Sequence, residues 1–252
     1  MKNKIEFLDM VEQAMKINDR TQMRPVIEKE LLHYDIFYIL DQNNLLDRLT
    51  FQGGTALRLC YGSTRFSEDL DFAGGKEFSA IDLMQIKECL EEYLSDKYGL
   101  EVSVKEPKEF AHEVEQNIRV DKWQLSVTTA PGRKDIPKQR IKIEVVNIPA
   151  YSRQPLALQP NYAFLPDGYN DILVMTESLD EIMADKLISF VNCTRYIRYR
   201  DIWDFRWLKQ NFAKLNSDYI LAKIKDYRIE DYLLKLQPML TSILDKRIIF
   251  RR

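Results

Sequence analysis

The stretch Phe51-Gln-Gly-Gly-Thr-Ala-Leu-Arg-Leu-Cys-Tyr-Gly-Ser-Thr-Arg-Phe-Ser-Glu-Asp-Leu-Asp-Phe72 joins a glycine pair, a short apolar segment, a polar loop and two aspartates. Gly53 and Gly54 let the backbone turn tightly and approach a ligand, because neither residue has a Cβ. Thr55 is predicted to cap a short helix over residues 56–61, whose free N–H groups attract phosphate. The first half of the stretch therefore predicts a phosphate-binding turn.

The two aspartates at its end, Asp69 and Asp71, are predicted to share one face of a strand, while Leu70 and Phe72 anchor the other face. Carboxylates this close repel each other unless a cation lies between them, and hard oxygen ligands suit Mg²⁺ or Mn²⁺. Taken singly, a glycine turn is commonly only a turn, and acidic pairs often decorate surfaces. Their order in one stretch favours a site for a nucleoside triphosphate (NTP) and its metal.

The same stretch resembles the signature of the AbiEii/AbiGii-type nucleotidyltransferase toxins, relatives of the MenT toxins within the polymerase-beta-like nucleotidyltransferase superfamily. That signature is an apolar residue, a Gly-Gly or Gly-Ser pair, a short helix and then Asp-apolar-Asp. The residues that carry the resemblance are Phe51, Gly53, Gly54, Thr55, Leu57, Arg65, Ser67, Asp69 and Asp71. The resemblance implies metal ligation and catalysis by Asp69 and Asp71. It implies nucleotide binding by Gly53, Gly54, Thr55, Arg65 and Ser67.

Composition is that of an ordinary globular protein, with 252 residues, 30% of them charged and 45% hydrophobic. The net charge of −2 provides no global basic field, so a nucleic-acid partner would have to be held by a local patch. No segment approaches the ~18 consecutive apolar residues of a membrane span, and no signal peptide is recognisable. We expect a cytoplasmic protein without a membrane partner.

Periodicity predicts helices over residues 3–18 and 25–46 and strands over residues 100–105, 123–129 and 140–147. We expect an α+β (mixed α/β) fold. The resemblance implies a polymerase-beta-like core sheet with flanking helices over residues 1–150, and a mainly helical part over residues 151–252. Residues 149–177 contain four prolines and are interpreted as an irregular connector, either a domain boundary or a loop over the site. We assign the N-terminal helices no chemical role.

Glu144 lies among apolar residues in the strand predicted at residues 140–147. By pattern alone it is equally well a solvent-facing strand residue. The resemblance favours a third carboxylate, which completes the metal site or accepts the proton of the attacking hydroxyl.

Lys186 is predicted to lie within the apolar stripe of a helix that begins after Ser178. A lysine there either extends to solvent or meets an anion, and the resemblance implies contact with the triphosphate. Asp201 and Asp204 belong to a segment resembling the family's Arg-Asp-x-x-Asp motif. They are either acids favoured by a helix N-terminus or, as the resemblance implies, catalytic, with Asp204 orienting Lys186 or acting as a base.

Residues 194–200 interleave arginines with tyrosines. Such a run can grip a phosphate backbone and stack bases, although it is more commonly a solvated helix end. It is the best local basic patch in the chain.

These features predict a metal-dependent nucleotidyltransferase toxin of a toxin-antitoxin or abortive-infection system active in phage defence. By resemblance, it transfers NMP from an NTP to an RNA hydroxyl, such as a tRNA 3′ end, or to a protein hydroxyl, and an antitoxin restrains it. Two alternatives stay open: a non-catalytic GTP- or ATP-binding regulatory protein with the same fold, and an interaction protein in which the acidic pair is structural.

Overall fold

The computed structural model describes residues 7–17, 21–108, 118–133, 135–193 and 195–238. The chain divides into two compact units, Met1–Thr176 and Glu177–Arg252. The fold is a mixed α+β fold, which confirms the predicted class. No helix in these ranges is long and apolar enough to cross a membrane.

The described part of the first unit is built on a mixed sheet with strand order β3-β4-β5-β2-β1-β7-β6. The strands are β1 (Thr50–Gln52), β2 (Leu70–Ala73), β3 (Glu101–Lys105), β4 (Val120–Thr128), β5 (Gln139–Val146), β6 (Gln154–Ala157) and β7 (Leu173–Thr176). The helices are α1 (Phe7–Lys16), α2 (Arg24–Gln42), α3 (Gly53–Leu59) and α4 (Ile86–Tyr98). Strand β2 lies at the centre, antiparallel to β1 and parallel to β5.

Helix α2 packs its aromatic side chains on the central strands. The ring of Phe37 lies 4.9 Å from that of Phe51, which lies 5.1 Å from that of Phe72. Leu70 and Phe72 are fully buried, whereas Asp71 between them is partly exposed. The predicted alternation is therefore confirmed: apolar residues fix β2 in the core and leave the Asp71 carboxylate on the other face.

Residues 149–177, predicted as an irregular connector, contain the strands β6 and β7. The prolines argued against strands in this segment, because proline is rare within sheets. Pro155 is tolerated in β6 since β6 lies at the edge of the sheet and pairs only with β7.

The second unit is helical where the structure describes it, with α5 (Leu179–Asn192), α6 (Tyr199–Gln210), α7 (Ser217–Asp226) and helical residues 232–238. The side chain of Ser178 accepts a hydrogen bond from the N–H of Glu181, which confirms the predicted start of α5. Ile188 and Val191 of α5 pack with Tyr232 and with partly buried residues of α7. These contacts give the unit an apolar core of its own.

Candidate active site

The glycine turn packs directly on the carboxylate of Asp71. Gly53 has φ +79°, a left-handed conformation, and a Cβ at this position would lie 2.7 Å from Oδ2 of Asp71. The pairing of Gln52 with Asp71 across β1 and β2 sets this approach. Position 53 therefore requires glycine for two reasons: the backbone is left-handed, and the Asp71 carboxylate leaves no space for a Cβ.

Gly54 is crowded by the polar loop that follows α3. A Cβ on Gly54 would lie 2.6 Å from Nη2 of Arg65 and 3.0 Å from Oγ of Ser67. Nη1 of Arg65 donates a 3.0 Å hydrogen bond to the carbonyl of Phe66, which orients the guanidinium. The structure thus brings Gly53, Gly54, Arg65 and Ser67 together, as a nucleotide-binding loop requires.

Thr55 does not cap α3, so the predicted N-cap is wrong. The helix begins at Gly53 with Gln52 in the cap position, because the left-handed glycine lets the chain turn three residues earlier than expected. Thr55 is fully buried, and its hydroxyl donates a hydrogen bond to the backbone carbonyl of Asp69. Thr55 therefore fixes the backbone of the acidic pair, and its contact with a nucleotide stays a prediction.

Asp71 and Glu144 are direct register partners on the parallel strands β2 and β5. Adjacent strands lie about 4.8 Å apart and register partners project to the same face. Asp69 lies beside them, since the N–H of Lys142 donates to its Oδ1 over 3.2 Å. The three carboxylates predicted as metal ligands are thus grouped on one face of the sheet.

Two lysines that the sequence analysis missed contact these carboxylates. Nζ of Lys122 lies 2.7 Å from Oε1 of Glu144, and Nζ of Lys142 lies 3.5 Å from Oδ2 of Asp69. The lysine side chains are 48% and 43% exposed, and ion pairs so exposed contribute at most about 1 kcal/mol. The alternation of residues 140–146 could have revealed Lys142, because it places Lys142 and Glu144 on the same face.

The carboxylate group fits a hard divalent cation. Its donors are oxygens on neighbouring strands, the donor type that Mg²⁺ and Mn²⁺ prefer. The lysine pairs oppose metal binding only weakly, since each contributes less than the electrostatic interaction of a divalent ion with several carboxylates. Asp69, Asp71 and Glu144 thus offer donors of the right chemical type, and their role as metal ligands stays a prediction.

Helix α2 holds Glu68, the residue that precedes Asp69. The sequence predicted no such role for the N-terminal helices. Nε2 of the fully buried His33 donates to the carbonyl of Glu68 over 3.0 Å, and Lys29 pairs with the Glu68 carboxylate. Burial lowers the pKa of His33 to about 4, so the ring is neutral at pH 7. Two residues one helical turn apart thus hold the backbone next to Asp69.

Within the second unit, Lys186 is buried and paired. Its Nζ lies 2.6 Å from Oδ2 of Asp204 and 3.9 Å from Oδ1 of Asp201, while Arg198 holds Asp201 over 2.8 Å. The Lys186 side chain is only 10% exposed, so it does not extend to solvent. The structure joins Lys186 with Asp204 as the predicted orientation requires, and their catalytic roles stay predictions.

A second buried lysine lies among three acids that the sequence analysis overlooked. Nζ of Lys223 lies 3.1 Å from Oε1 of Glu177, 2.8 Å from Oε1 of Glu181 and 2.9 Å from Oδ2 of Asp185. The three carboxylates are close enough together to ligate a metal, but the ammonium group already lies among them. Their spacing of four residues, with Glu177 just before α5 and Glu181 and Asp185 within it, was the available signal.

Burial shifts the titration of two of these acids. Burial, with the nearby charge of Asp185 adding to it, raises the pKa of Glu177 well above its usual range. Burial also raises the pKa of Asp185. The charge of Lys223 is thus balanced inside the unit, which is a structural arrangement rather than a vacant cation site.

Comparison with known protein families identifies the class of protein. Residues 35–248 match the family described as nucleotidyl transferase AbiEii toxin of a type IV toxin-antitoxin system. The chain belongs to this family. This AbiEii-family protein is therefore a nucleotidyltransferase, and the matched range contains every site residue predicted from the sequence, from Gly53 to Asp204.

Two solved structures are similar to this AbiEii-family chain. A candidate nucleotidyltransferase from H. pylori is 19% identical, covers 86% of this chain and 96% of its own, and has a TM-score of 0.44. JHP933 from Helicobacter pylori is 20% identical, covers 86% and 93%, and has the same TM-score of 0.44. No curated protein matches the chain. Similarity at this level adds nothing to the family assignment.

Proposed function

We propose that this AbiEii-family nucleotidyltransferase transfers NMP from an NTP to an RNA hydroxyl, such as a tRNA 3′ end, or to a protein hydroxyl. The reaction releases pyrophosphate and depends on Mg²⁺ or Mn²⁺. One observation carries the proposal: the Asp71–Glu144 register pair lies beside a glycine turn that no side chain could occupy. A glycine turn packed directly on such a carboxylate pair supports binding of a metal-bound triphosphate.

Asp69, Asp71 and Glu144 would hold the metal. A divalent ion bound there supplies charge stabilisation for the triphosphate and for the attacking and leaving oxygens of an in-line displacement. Asp69 and Asp71 are the central ligands, because Thr55 and His33 fasten the backbone around Asp69. Glu144 either completes the ligand set or accepts the proton of the attacking hydroxyl.

The nucleotide would be held by Gly53, Gly54, Thr55, Arg65 and Ser67. The glycines let the backbone lie close to Asp71, Arg65 and Ser67, and the backbone N–H groups of such a turn are suited to bind phosphate. The guanidinium of Arg65 adds a fixed positive charge with several donors, and the hydroxyl of Ser67 adds one more donor. Lys186 and Asp204 keep the roles that the resemblance implies, triphosphate contact for the lysine and its orientation, or base catalysis, for the aspartate.

The family description of a type IV toxin-antitoxin system supports an antitoxin as partner. We propose that the enzyme acts in the cytoplasm as the toxin of a phage-defence or abortive-infection system, and that its antitoxin restrains the transfer reaction.

The decisive experiment incubates the full chain with each α-³²P-labelled NTP, Mg²⁺ and either total RNA or total protein. We expect label on one acceptor class, with loss of the label on removal of the metal by EDTA and in Asp69→Asn. Asp167→Asn is the matched control, because Asp167 is an exposed aspartate of the same unit, and its labelling should equal that of wild type. Labelling that Asp69→Asn leaves unchanged would overturn the proposal.

A further inference from the structure

Helix α6 exposes a face without any acidic side chain. Its exposed residues are basic, aromatic or amide in character: Tyr199, Arg200, Trp203, Arg206, Lys209 and Gln210. The two acids of the helix, Asp201 and Asp204, are 1% exposed and paired with Arg198 and Lys186. Negative charge on α6 is therefore neutralised within the unit, and only positive charge reaches solvent.

The segment before α6 extends this face, which we name the α6 face and define as the exposed residues of 195–210. Arg195 and Tyr196 are exposed, and the rings of Tyr196, Tyr199 and Trp203 are 65%, 59% and 37% exposed. Arg195, Arg200, Arg206 and Lys209 form no ion pair with another residue that the structure describes. Four cations and three rings are thus available to a partner.

An ordinary solvated helix surface does not account for this composition. Soluble proteins intersperse charges of both signs on their surfaces, and this chain has 39 acidic and 37 basic residues. A single exposed ring needs no explanation, but three large rings between residues 196 and 203 form a local cluster. A helix face on which cationic and aromatic side chains cluster is typical of a surface that binds a polyanion with flat apolar groups.

We infer that the α6 face binds a single-stranded RNA segment. The inference rests on the proposed function only where it identifies this RNA with the acceptor of the transfer reaction. Exposed rings stack on unpaired bases, and the arginines and the lysine neutralise phosphates. A duplex would use the cations but not the rings, because its base faces are hidden in the helical stack.

The test measures fluorescence anisotropy of a labelled, unstructured RNA of about 12 nucleotides, within the range that such binding surfaces cover. The full chain is titrated without NTP or metal at several salt concentrations. We expect the logarithm of the binding affinity to fall linearly with the logarithm of the salt concentration. Tyr199→Ala combined with Trp203→Ala should weaken binding at least about 5-fold, the lower limit for loss of one stacked base.

Removal of positive charge gives a second readout, the salt dependence of RNA binding, which a packing defect would not change. Arg200→Gln combined with Arg206→Gln should lower the slope of log affinity against log salt by about 0.7 for each cation that contacts phosphate. Phe212→Ala and Lys225→Gln are matched controls, since both residues are exposed in the same unit and lie outside the α6 face, and both should bind RNA like wild type. Unfolding midpoints show whether each variant is folded.

Three results would overturn the inference: no RNA binding by wild type, equal loss in the control variants, or a duplex bound as tightly as the single strand. Binding of a purified antitoxin that depends on the α6 face, with RNA binding unaffected, would identify a protein interface instead and would also overturn it. Failure of NMP transfer by wild type, with this RNA binding intact, would count against the proposed function alone. Transfer to RNA without the α6-face dependence would count against this inference alone.

Discussion

Asp71 and Glu144 lie side by side on the parallel strands β2 and β5, and the α-carbon of Gly53 faces the Asp71 carboxylate so closely that a Cβ would lie 2.7 Å from its Oδ2. One acid of a pair on central strands is therefore packed against the glycine turn, with no space for a side chain between them. This arrangement leads to specific expectations for metal, nucleotide and stability.

Glu144→Gln removes the charge of one proposed metal ligand while preserving the shape of the side chain. We expect the initial rate of NMP transfer to fall about 100-fold or more, which corresponds to loss of roughly 3 kcal/mol of transition-state stabilisation. The free energy of unfolding should change by less than about 1 kcal/mol, because the partner Lys122 is exposed. Rates come from labelled NTP and stability from urea titration. An unchanged rate would assign Glu144 to the solvent-facing role.

Gly53→Ala has a matched control in Gly62→Ala. The two glycines have φ values of +79° and +77°, but nothing lies within 4 Å of a Cβ built on Gly62. Both variants should lose about 1–2 kcal/mol of unfolding free energy from left-handed strain. Only Gly53→Ala should also lose transfer activity, because its methyl group displaces Asp71. Equal transfer rates in the two folded variants would show that the close approach has no catalytic consequence.

Lys122→Gln should make the metal site easier to occupy. The ammonium group competes with a cation for the carboxylate of Glu144, and the competition amounts to at most about 1 kcal/mol. The Mg²⁺ concentration for half-maximal transfer should therefore decrease by up to about 5-fold. A Mg²⁺ titration of the transfer rate measures this. A higher Mg²⁺ requirement in the variant would mean that Lys122 assists metal binding rather than opposing it.

Glu177→Gln tests the raised pKa of the Glu177 carboxyl beside Lys223. The raised pKa of Glu177 in the folded state means that its stabilising contribution is complete below the ordinary pKa of 4.5 and is lost as pH rises from there towards the raised value. Lys223, whose pKa is also raised, stays charged throughout. The variant should therefore gain stability relative to wild type as pH rises, by up to about 1.4 kcal/mol per pH unit in that window.

Hydrogen exchange of the amides of α5 and α7 between pH 5 and pH 8 reports this difference, because these helices carry Glu181, Asp185 and Lys223, the partners of Glu177. Glu230→Gln changes an exposed glutamate of the same unit and should show no such trend. A constant difference between Glu177→Gln and wild type across the range would mean that Glu177 is ionised in the folded protein.

Local patterns predicted those parts of the site that lie within one element. The alternation from Asp69 to Phe72 identified the acidic face, because strand geometry fixes it residue by residue. Lys186 stood out since a lysine within an apolar stripe needs a partner. The strand β1 has only three residues, Thr50–Gln52, too few for a periodic signal.

Contacts between distant segments could not be read from such patterns. The register of Asp71 with Glu144 joins strands far apart in the chain, and periodicity defines a strand without defining its partner. Lys223 and Glu177 are likewise 46 residues apart. Each looks like an ordinary surface residue until the packing of α5 and α7 buries both.

The most direct test of the metal site is binding of Mn²⁺ to the full chain, followed by electron paramagnetic resonance in the presence of a non-hydrolysable NTP analogue. We predict that Asp71→Asn weakens Mn²⁺ binding at least about tenfold, whereas Asp167→Asn and Glu177→Gln bind Mn²⁺ like wild type. Wild-type affinity in Asp71→Asn would contradict the account, as would a loss of binding in Glu177→Gln alone.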